Sequence, residues 1–111
     1  MKKIAIPVEN GLLCAHFGHA SSFSIFEAED KTIINETSAK PPAHAPDIIP
    51  KWLSELGVSD VIAGGMGQRA INIFNDHGIN VYTGAPDKAP QKLASELMEG
   101  TLIAGQNLCD H

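Results

Sequence analysis

The chain has 111 residues, of which 43% are hydrophobic and 19% are charged. This composition excludes a disordered chain, and the length suits one compact unit, so we expect a single domain over residues 1–111. The formal net charge of -5 and the lack of a basic run argue against a nucleic-acid partner. No apolar stretch approaches the roughly 20 residues of a membrane helix, and the first residues do not resemble a signal peptide, so we expect a cytoplasmic protein with no membrane partner.

The first part of the chain predicts three β-strands. Residues 2–8 form a β-like run that stops at the turn-forming Glu9-Asn10-Gly11, and a long loop follows. Residues 22–29 and 31–38 form two further runs around a turn-prone Glu-Asp pair. These two runs predict a hairpin.

The second part predicts alternating helices and strands. Residues 39–50 contain four prolines and are expected to form a loop. The periodicity then predicts a helix over 47–56, a strand over 60–63, a helix ending at His77-Gly78, a strand over 79–83, a helix over 89–99 and a short extended piece over 101–104. With right-handed crossovers, this succession predicts a three-layer α/β domain. Its mixed five-stranded sheet would have the order 3-2-1-4-5 and be flanked by helices, with the second strand antiparallel.

The predicted topology gathers potential metal ligands at one edge of the sheet. The loops after the first, third and fourth strands (9–21, 39–47 and 64–67) would share this edge, which contains the switch point where open α/β sheets usually bind ligands. A final extended segment would return the C-terminus to the same edge. Six of the seven Cys and His residues would then cluster there, and only His77 would lie at the opposite end. The six are Cys14, His16, His19, His44, Cys109 and His111.

The ligand types at this edge indicate a soft or borderline metal. Cys14, His16 and His19 lie within one loop, and Cys109 and His111 repeat the Cys-x-His pairing. Thiolate and imidazole ligands suit iron, zinc or an iron-sulfur cluster. Any one of these residues alone is more typical of a polar surface side chain or a frayed terminus. The prediction of a metal site therefore depends on their shared placement.

A glycine-rich loop, Gly64-Gly65-Met66-Gly67, leads from the fourth predicted strand into a helix. Its backbone N–H groups and the helix dipole could hold an anionic cofactor. The alternative is that the glycines only permit a tight strand-to-helix turn. The Lys-Ser/Thr pair of a P-loop is missing. Arg69, in the first helical turn, either adds a positive charge to the same anion or lies in solvent.

Three segments resemble the dinitrogenase iron-molybdenum cofactor biosynthesis family. They are His16-Phe17-Gly18-His19-Ala20, residues 61–70 and residues 78–85. The resemblance covers nearly the whole chain and implies a ribonuclease H-like α/β fold. It also implies a role in binding or carrying iron-sulfur precursors of the nitrogenase cofactor, through His16 and the glycine loop. Small stand-alone members also occur where no nitrogenase is made, so the cargo is not restricted to nitrogen fixation.

Three functions follow from these patterns. The first is a non-catalytic carrier of an iron-sulfur cluster or iron-molybdenum cofactor precursor, which would exchange its cargo with donor and acceptor proteins. The second is a hydrolase or redox enzyme with a zinc or iron ion that keeps an open coordination position. Its general base would be Glu9, Asp47 or Asp110, and their spacing singles out none of them. The third is a regulatory domain whose glycine loop binds a small anionic ligand. A homodimer that shares ligands is compatible with all three.

Overall fold

The computed structural model describes residues 2–9, 11–13, 22–40, 48–85, 88–100 and 102. In chain order, its elements are β1 (Lys2–Glu9), β2 (Leu12–Leu13), β3 (Ser22–Glu29), β4 (Thr32–Ala39), α1 (Ile48–Glu55), β5 (Asp60–Ile62), α2 (Gln68–Asp76), β6 (Asn80–Tyr82) and α3 (Pro90–Glu99). No helix within these ranges is long and apolar enough to cross a membrane.

The strands form one mixed sheet in the order β4-β3-β1-β5-β6, with β2 paired to β1. β5 runs parallel to β1, and β6 runs parallel to β5. β3 is antiparallel to both β1 and β4, so β4 points the same way as β1. The predicted three-layer α/β architecture and the order of its five strands are confirmed. The short strand β2 is an addition that the sequence analysis did not predict.

Helices cover both faces of the sheet. On one face, which we call the α1–α2 face, Phe23 of β3 packs in a core with Leu53 of α1 and Phe74 of α2. On the other, the α3 face, Ile6 of β1 packs in a second core with Leu93 of α3. All five side chains are at most 1% exposed, so the sheet is a buried middle layer. Its position is set by hydrophobic burial on both sides.

Two predicted segments need correction or lie outside the described residues. The proline-rich loop was predicted to reach residue 50, but Pro50 is the buried third residue of α1. Proline is tolerated there because the first helical N–H groups have no partner inside the helix. Residues 41–47 lie outside the described part of the chain. Of the extended piece predicted over 101–104, only Leu102 is described, and it belongs to no strand.

A polar network joins the amino ends of the three neighbouring parallel strands. The carboxylate of Asp60 in β5 is fully buried and accepts hydrogen bonds from Ser59 Oγ at 2.8 Å and Asn80 Nδ2 of β6 at 3.1 Å. Lys2 Nζ of β1 lies 3.7 Å from Asp60 Oδ2. A buried carboxylate is costly unless it is hydrogen-bonded and paired. The network therefore favours one alignment of β1, β5 and β6.

The β3–β4 hairpin turns on two residues with left-handed backbone. Asp30 has φ 51° and Lys31 has φ 67°. Two-residue hairpin loops favour this geometry because it matches the strand twist, but they normally place Asn-Gly or Asp-Gly there. Lysine in this conformation costs about 1–2 kcal/mol, because its Cβ crowds the following carbonyl. The turn is thus locally strained, and it lies at the same end of the sheet as Asp60.

Candidate functional site

The strands β1, β4, β5 and β6 all end at one edge, which we call the carboxyl edge. They end at Glu9, Ala39, Ile62 and Tyr82. The segments after β1, β4 and β5 were predicted to share one edge of the sheet. The structure confirms that these three strands end at the same edge. The glycine loop 64–67 begins two residues after β5 and lies at this edge.

The described residues next to the predicted ligand segments also lie at the carboxyl edge. Leu13 and Ser22 flank residues 14–21, and both pair with Val8 of β1. Lys40 precedes residues 41–47 and directly follows Ala39. The six predicted metal ligands lie outside the described residues: Cys14, His16, His19, His44, Cys109 and His111.

His77 is described, and it occupies the predicted end of the molecule. It caps the C-terminus of α2, is exposed and precedes β6. This places it at the amino ends of the parallel strands, away from the carboxyl edge. Within the described ranges, no three His, Cys, Asp or Glu side chains are grouped so that they could hold a metal ion.

The start of the glycine loop is hydrogen-bonded to the loop that follows β6. Ala63 and Gly64 accept hydrogen bonds from the loop that follows β6: Gly84 N donates to Gly64 O at 2.9 Å, and Ala85 N donates to Ala63 O at 3.2 Å. Gly64 and Gly65 are buried, whereas Gly67 is exposed. These bonds fix the first residue of the loop at the carboxyl edge.

The conformation of the loop does not explain its glycines. None of the three glycines in the loop has a positive φ, in contrast to Gly84, whose φ is 74°. A Cβ on Gly67 would have no atom of the described structure within 4 Å, and no side chain caps α2 there. A positive φ therefore does not require these glycines, and the space at position 67 would also admit a larger residue. Small residues at an uncapped helix start leave its N–H groups accessible to an anion.

Met66 and Arg69 are placed differently from each other. The side chain of Met66 is 1% exposed and belongs to the α1–α2 core. Of the five residues predicted to bind a cofactor, Met66 therefore offers only its backbone to a ligand. Arg69 is exposed and is the second residue of α2. Arg69 therefore lies in the first turn of the helix that directly follows the glycine loop.

All three described helices begin at the carboxyl edge. α1 ends at the opposite end, where Lys3 Nζ of β1 donates to Leu56 O at 2.7 Å. α2 directly follows the glycine loop. α3 begins near Lys88, whose carbonyl oxygen accepts a hydrogen bond from Leu13 N at 3.1 Å. The positive ends of three helix dipoles consequently lie at this edge.

The charges within the helices oppose these dipoles. None of the three has an acidic residue in its first turn, and none has a basic residue in its last turn. Instead, each has a basic residue among its first four residues and ends on an acidic residue: Lys51 and Glu55, Arg69 and Asp76, Lys92 and Glu99. An unfavourable charge at an exposed helix end costs about 0.3–1 kcal/mol. Within the helices, the basic residues therefore add to the positive ends of the dipoles at the carboxyl edge.

Strand β2 fills the position at which open α/β sheets usually bind ligands. One side of β1 pairs with β3 from Lys2 to Val8. The other side pairs with β5 at Ile4 and Ala5, and with β2 at Val8 and Glu9. Because a strand has only two sides, β2 must lie directly beyond the carboxyl end of β5. The switch point between β1 and β5 is therefore occupied by β2.

On the α3 face of the sheet, the side chain of Leu13 covers the switch point between β1 and β5. Leu13 is 4% exposed and belongs to the same core as Val8, Ala85 and Leu93. On this face, residues of the chain itself therefore cover the switch point. The dipeptide Asn10-Gly11 could have revealed β2, because Asn-Gly is the strongest short hairpin signal. Gly11 has the positive φ, 81°, that such a turn requires.

The comparison with known proteins decides the family. Residues 1–100 match the family model described as Dinitrogenase iron-molybdenum cofactor. The chain belongs to this family. Two of the three segments that resemble the family, 61–70 and 78–85, contain β5 and β6 with the loops that are bonded through Gly64 and Gly84. The family resemblance therefore coincides with the carboxyl edge. The third segment, 16–20, lies outside the described residues.

Three known proteins are similar to the chain in sequence or in structure. MJ0580, an uncharacterized protein of Methanocaldococcus jannaschii, is 33% identical over 87 residues, which are 74% of this chain and 74% of that protein. The crystal structure of PH0822 is 27% identical, has a TM-score of 0.85 and covers 92% of this chain and 93% of its own. The apo form of the orange protein from Desulfovibrio gigas shares the fold, with a TM-score of 0.80, 19% identity and coverage of 96% and 95%.

Proposed function

We propose that this member of the dinitrogenase iron-molybdenum cofactor family is a non-catalytic carrier of an anionic metal centre, bound at the carboxyl edge. The cargo would be an iron-sulfur cluster or an iron-molybdenum cofactor precursor. The observation that carries the proposal is the charge pattern of the helices, which has a basic residue and no acidic residue near each helix start, against the preference of each helix dipole. The family assignment supports the same class of cargo.

The proposed ligands divide into two groups. Cys14 and Cys109 would supply thiolates, which bind iron as soft ligands. Imidazoles would come from the four histidines predicted as ligands: His16, His19, His44 and His111. The pairing of Leu13 and Ser22 with Val8 supports the placement of the loop ligands, because these two residues flank residues 14–21.

Backbone groups would bind the anionic part of the cargo. The N–H groups of the loop from Gly64 to Gly67 open onto the start of α2, which no side chain caps. Charge-assisted bonds to backbone N–H groups are stronger than neutral ones. Arg69 would add a guanidinium to the same anion. The third function considered above, binding of a small anionic ligand alone, would use this group without the cysteines.

A carrier must release what it binds. Because the two cores lie on either side of the sheet, we propose that the fold persists without cargo and that loading affects the carboxyl edge alone. Donor and acceptor proteins in the cytoplasm would then exchange cargo at this edge. No step in this account requires the chain to make or break a covalent bond in a substrate.

Anaerobic isolation followed by iron, molybdenum, zinc and acid-labile sulfide analysis tests the proposal. We expect iron and sulfide together with the broad visible absorption of an iron-sulfur centre. Apo protein treated with ferrous iron and sulfide under a reductant should regain the same spectrum. A colourless protein that holds zinc and takes up no cluster would contradict the carrier function and favour the metal-dependent enzyme.

A further inference from the structure

Strand β4 is the last strand on its side of the sheet. It pairs with β3 along one side, and within the described ranges no strand pairs with its outer side. An edge strand offers a row of backbone N–H and C=O groups to a further strand. We propose that a second copy of this chain binds antiparallel along the outer side of β4, so that the two sheets become continuous. This inference does not depend on the proposed cargo.

β4 has few of the features that keep edge strands from pairing. Such strands are often very short, or they contain proline or several charges. β4 has eight residues and no proline, and its one charged residue is Glu36. Glu36 Oε2 accepts a hydrogen bond from Gln91 Nε2 of α3 at 2.9 Å, so the carboxylate is held on the α3 face of the sheet. The outer side of β4 is therefore suited to a further strand.

A β-bulge limits where a second copy can pair. The register between β3 and β4 shifts between Glu27 and Ala28, which pair with Asn35 and Ile33, so Ile34 is the extra residue. A bulge bends its strand and disrupts the ladder. From Asn35 to Ala39 the register is regular. We therefore place the contact in the second half of β4.

This half of β4 is complementary in charge to a second copy of itself. Residues 36–40 read Glu-Thr-Ser-Ala-Lys, and Lys40 is exposed and directly follows the strand. When two copies run antiparallel about a two-fold axis at Ser38, each Glu36 lies opposite Lys40 of the second copy. Alternate residues of a strand share a face, so the two charged side chains lie on the same face. Opposite charges directly across neighbouring strands stabilise the pair.

The other registers are less favourable. An axis at Glu36 would place two carboxylates directly opposite each other, which is destabilising. An axis at Asn35 would bring the bulged Ile34 into the contact, opposite Glu36. An axis at Thr37 would place Glu36 opposite a serine and lose the direct ion pair. The charges and the bulge together therefore favour the axis at Ser38.

The contact is small. Residues 36–40 of each copy would form an interface at the low end of the known range, below about 1,200 Å² in total, and such interfaces are typical of transient complexes. Attraction between exposed charges is also screened by salt. We therefore expect a dimer that dissociates on dilution and weakens as the salt concentration rises.

Exchange of the two charges tests the inference. Glu36→Lys gives the segment a base at both ends, and Lys40→Glu gives it an acid at both ends, so each single variant should repel its own copy. The double variant Glu36→Lys with Lys40→Glu restores the complementarity. A mixture of the two single variants also sets opposite charges against each other at both ends. The matched controls are Lys51→Glu and Glu55→Lys, which change exposed charges four residues apart on α1.

Sedimentation velocity over a concentration series measures the dimer dissociation constant of the full chain. The series is repeated with a chelator and a reductant, because a shared metal ion or a disulfide would also join two chains. Far-ultraviolet circular dichroism checks that each variant is folded. If Glu36→Lys is not, Lys40→Glu alone tests the repulsion, since its position lies outside the strand.

We expect each single variant to raise the dimer dissociation constant about tenfold or more at low salt, and the double variant and the mixture to lie within about threefold of the wild type. A wild-type chain that stays monomeric would overturn the inference. So would a dimer that the single variants and the α1 controls weaken equally, or one that the chelator and reductant abolish. If deletion of residues 103–111 turned a monomeric chain into a dimer, the occupant of this edge would be the chain's own C-terminus and not a second copy.

Discussion

The two ends of the parallel strands differ in how their polar groups are arranged. At the amino ends, the buried carboxylate of Asp60 is satisfied by Ser59, Asn80 and Lys2. At the carboxyl edge, α2 begins without a side-chain cap, and the basic residue in its first turn opposes the helix dipole. The first end buries a carboxylate that is fully hydrogen-bonded, whereas the second has a helix start without a side-chain cap. Under the proposed function, this uncapped start belongs to the binding site, and such a departure from locally optimal sequence is common in functional regions.

The largest effect is expected from removing both predicted thiolates. The double variant Cys14→Ala with Cys109→Ala should lose cluster binding altogether, because thiolates are the strongest iron ligands in the proposed set. Its far-ultraviolet circular dichroism should stay nearly unchanged, since both cores lie elsewhere. Metal analysis and circular dichroism on the same sample measure the two effects.

His77→Ala is the matched control for this experiment. His77 lies at the opposite end of the parallel strands, so this variant should retain the metal content of the wild type. Global unfolding of the double cysteine variant would show that the metal centre is structural, which would contradict the carrier account. Equal metal loss in His77→Ala and His16→Ala would contradict the placement of the site.

The next effect should appear at the amino ends. Asp60→Ala removes a buried acceptor from Asn80 Nδ2, whereas Ser59 Oγ keeps Lys3 O as an acceptor at 3.2 Å, so we expect a loss of roughly 1–3 kcal/mol in the free energy of unfolding. Lys2 is 48% exposed, so Lys2→Ala should cost less than about 1 kcal/mol. Urea denaturation of the apo proteins measures both. Similar losses in the two variants would mean that the exposed ion pair, and not the buried hydrogen bonds, stabilises this end.

A smaller and opposite change in stability is expected at the carboxyl edge. Gly67→Asp would supply the missing cap of α2 and an acidic charge at its positive end, and should raise the free energy of unfolding by about 0.5–1 kcal/mol. The same carboxylate should weaken cluster binding, because it occupies the N–H groups and repels an anion. Gly67→Ala adds only a methyl group into open space and serves as the control. If Gly67→Asp raised both stability and cluster affinity, the helix start would not be part of the site.

The smallest effect should come from the hairpin turn. Lys31→Gly relieves the left-handed conformation at φ 67° and should stabilise the apo protein by about 0.5 kcal/mol, after the entropic cost of glycine is subtracted. Cluster affinity should not change, because the turn lies at the amino end. When the two stabilising variants are compared, Gly67→Asp should lower cluster binding and Lys31→Gly should not, because only the first gains its stability at the carboxyl edge.

The order of the five predicted strands could be read from the sequence, because hydrophobic runs and crossover handedness leave few alternatives. Strand β2 could not be found by periodicity, since two residues show no period, although Asn10-Gly11 carried its turn signal. Pro50 was assigned to a loop by composition, yet helix starts tolerate proline. The burial of Met66 depends on contacts with both α1 and α2, which a local pattern does not contain.

The most direct test of a cargo at the carboxyl edge is paramagnetic broadening in nuclear magnetic resonance spectra of the reconstituted protein. Backbone amides close to an iron-sulfur centre lose intensity when it is paramagnetic, whereas distant amides keep theirs. We predict loss of the amide signals of Gly64, Gly65 and Gly67, with the signals of Asp60 and Asn80 unchanged from the apo spectrum. Broadening centred on Asp60 and Asn80, with the glycine loop unaffected, would contradict the assignment of this edge as the binding site.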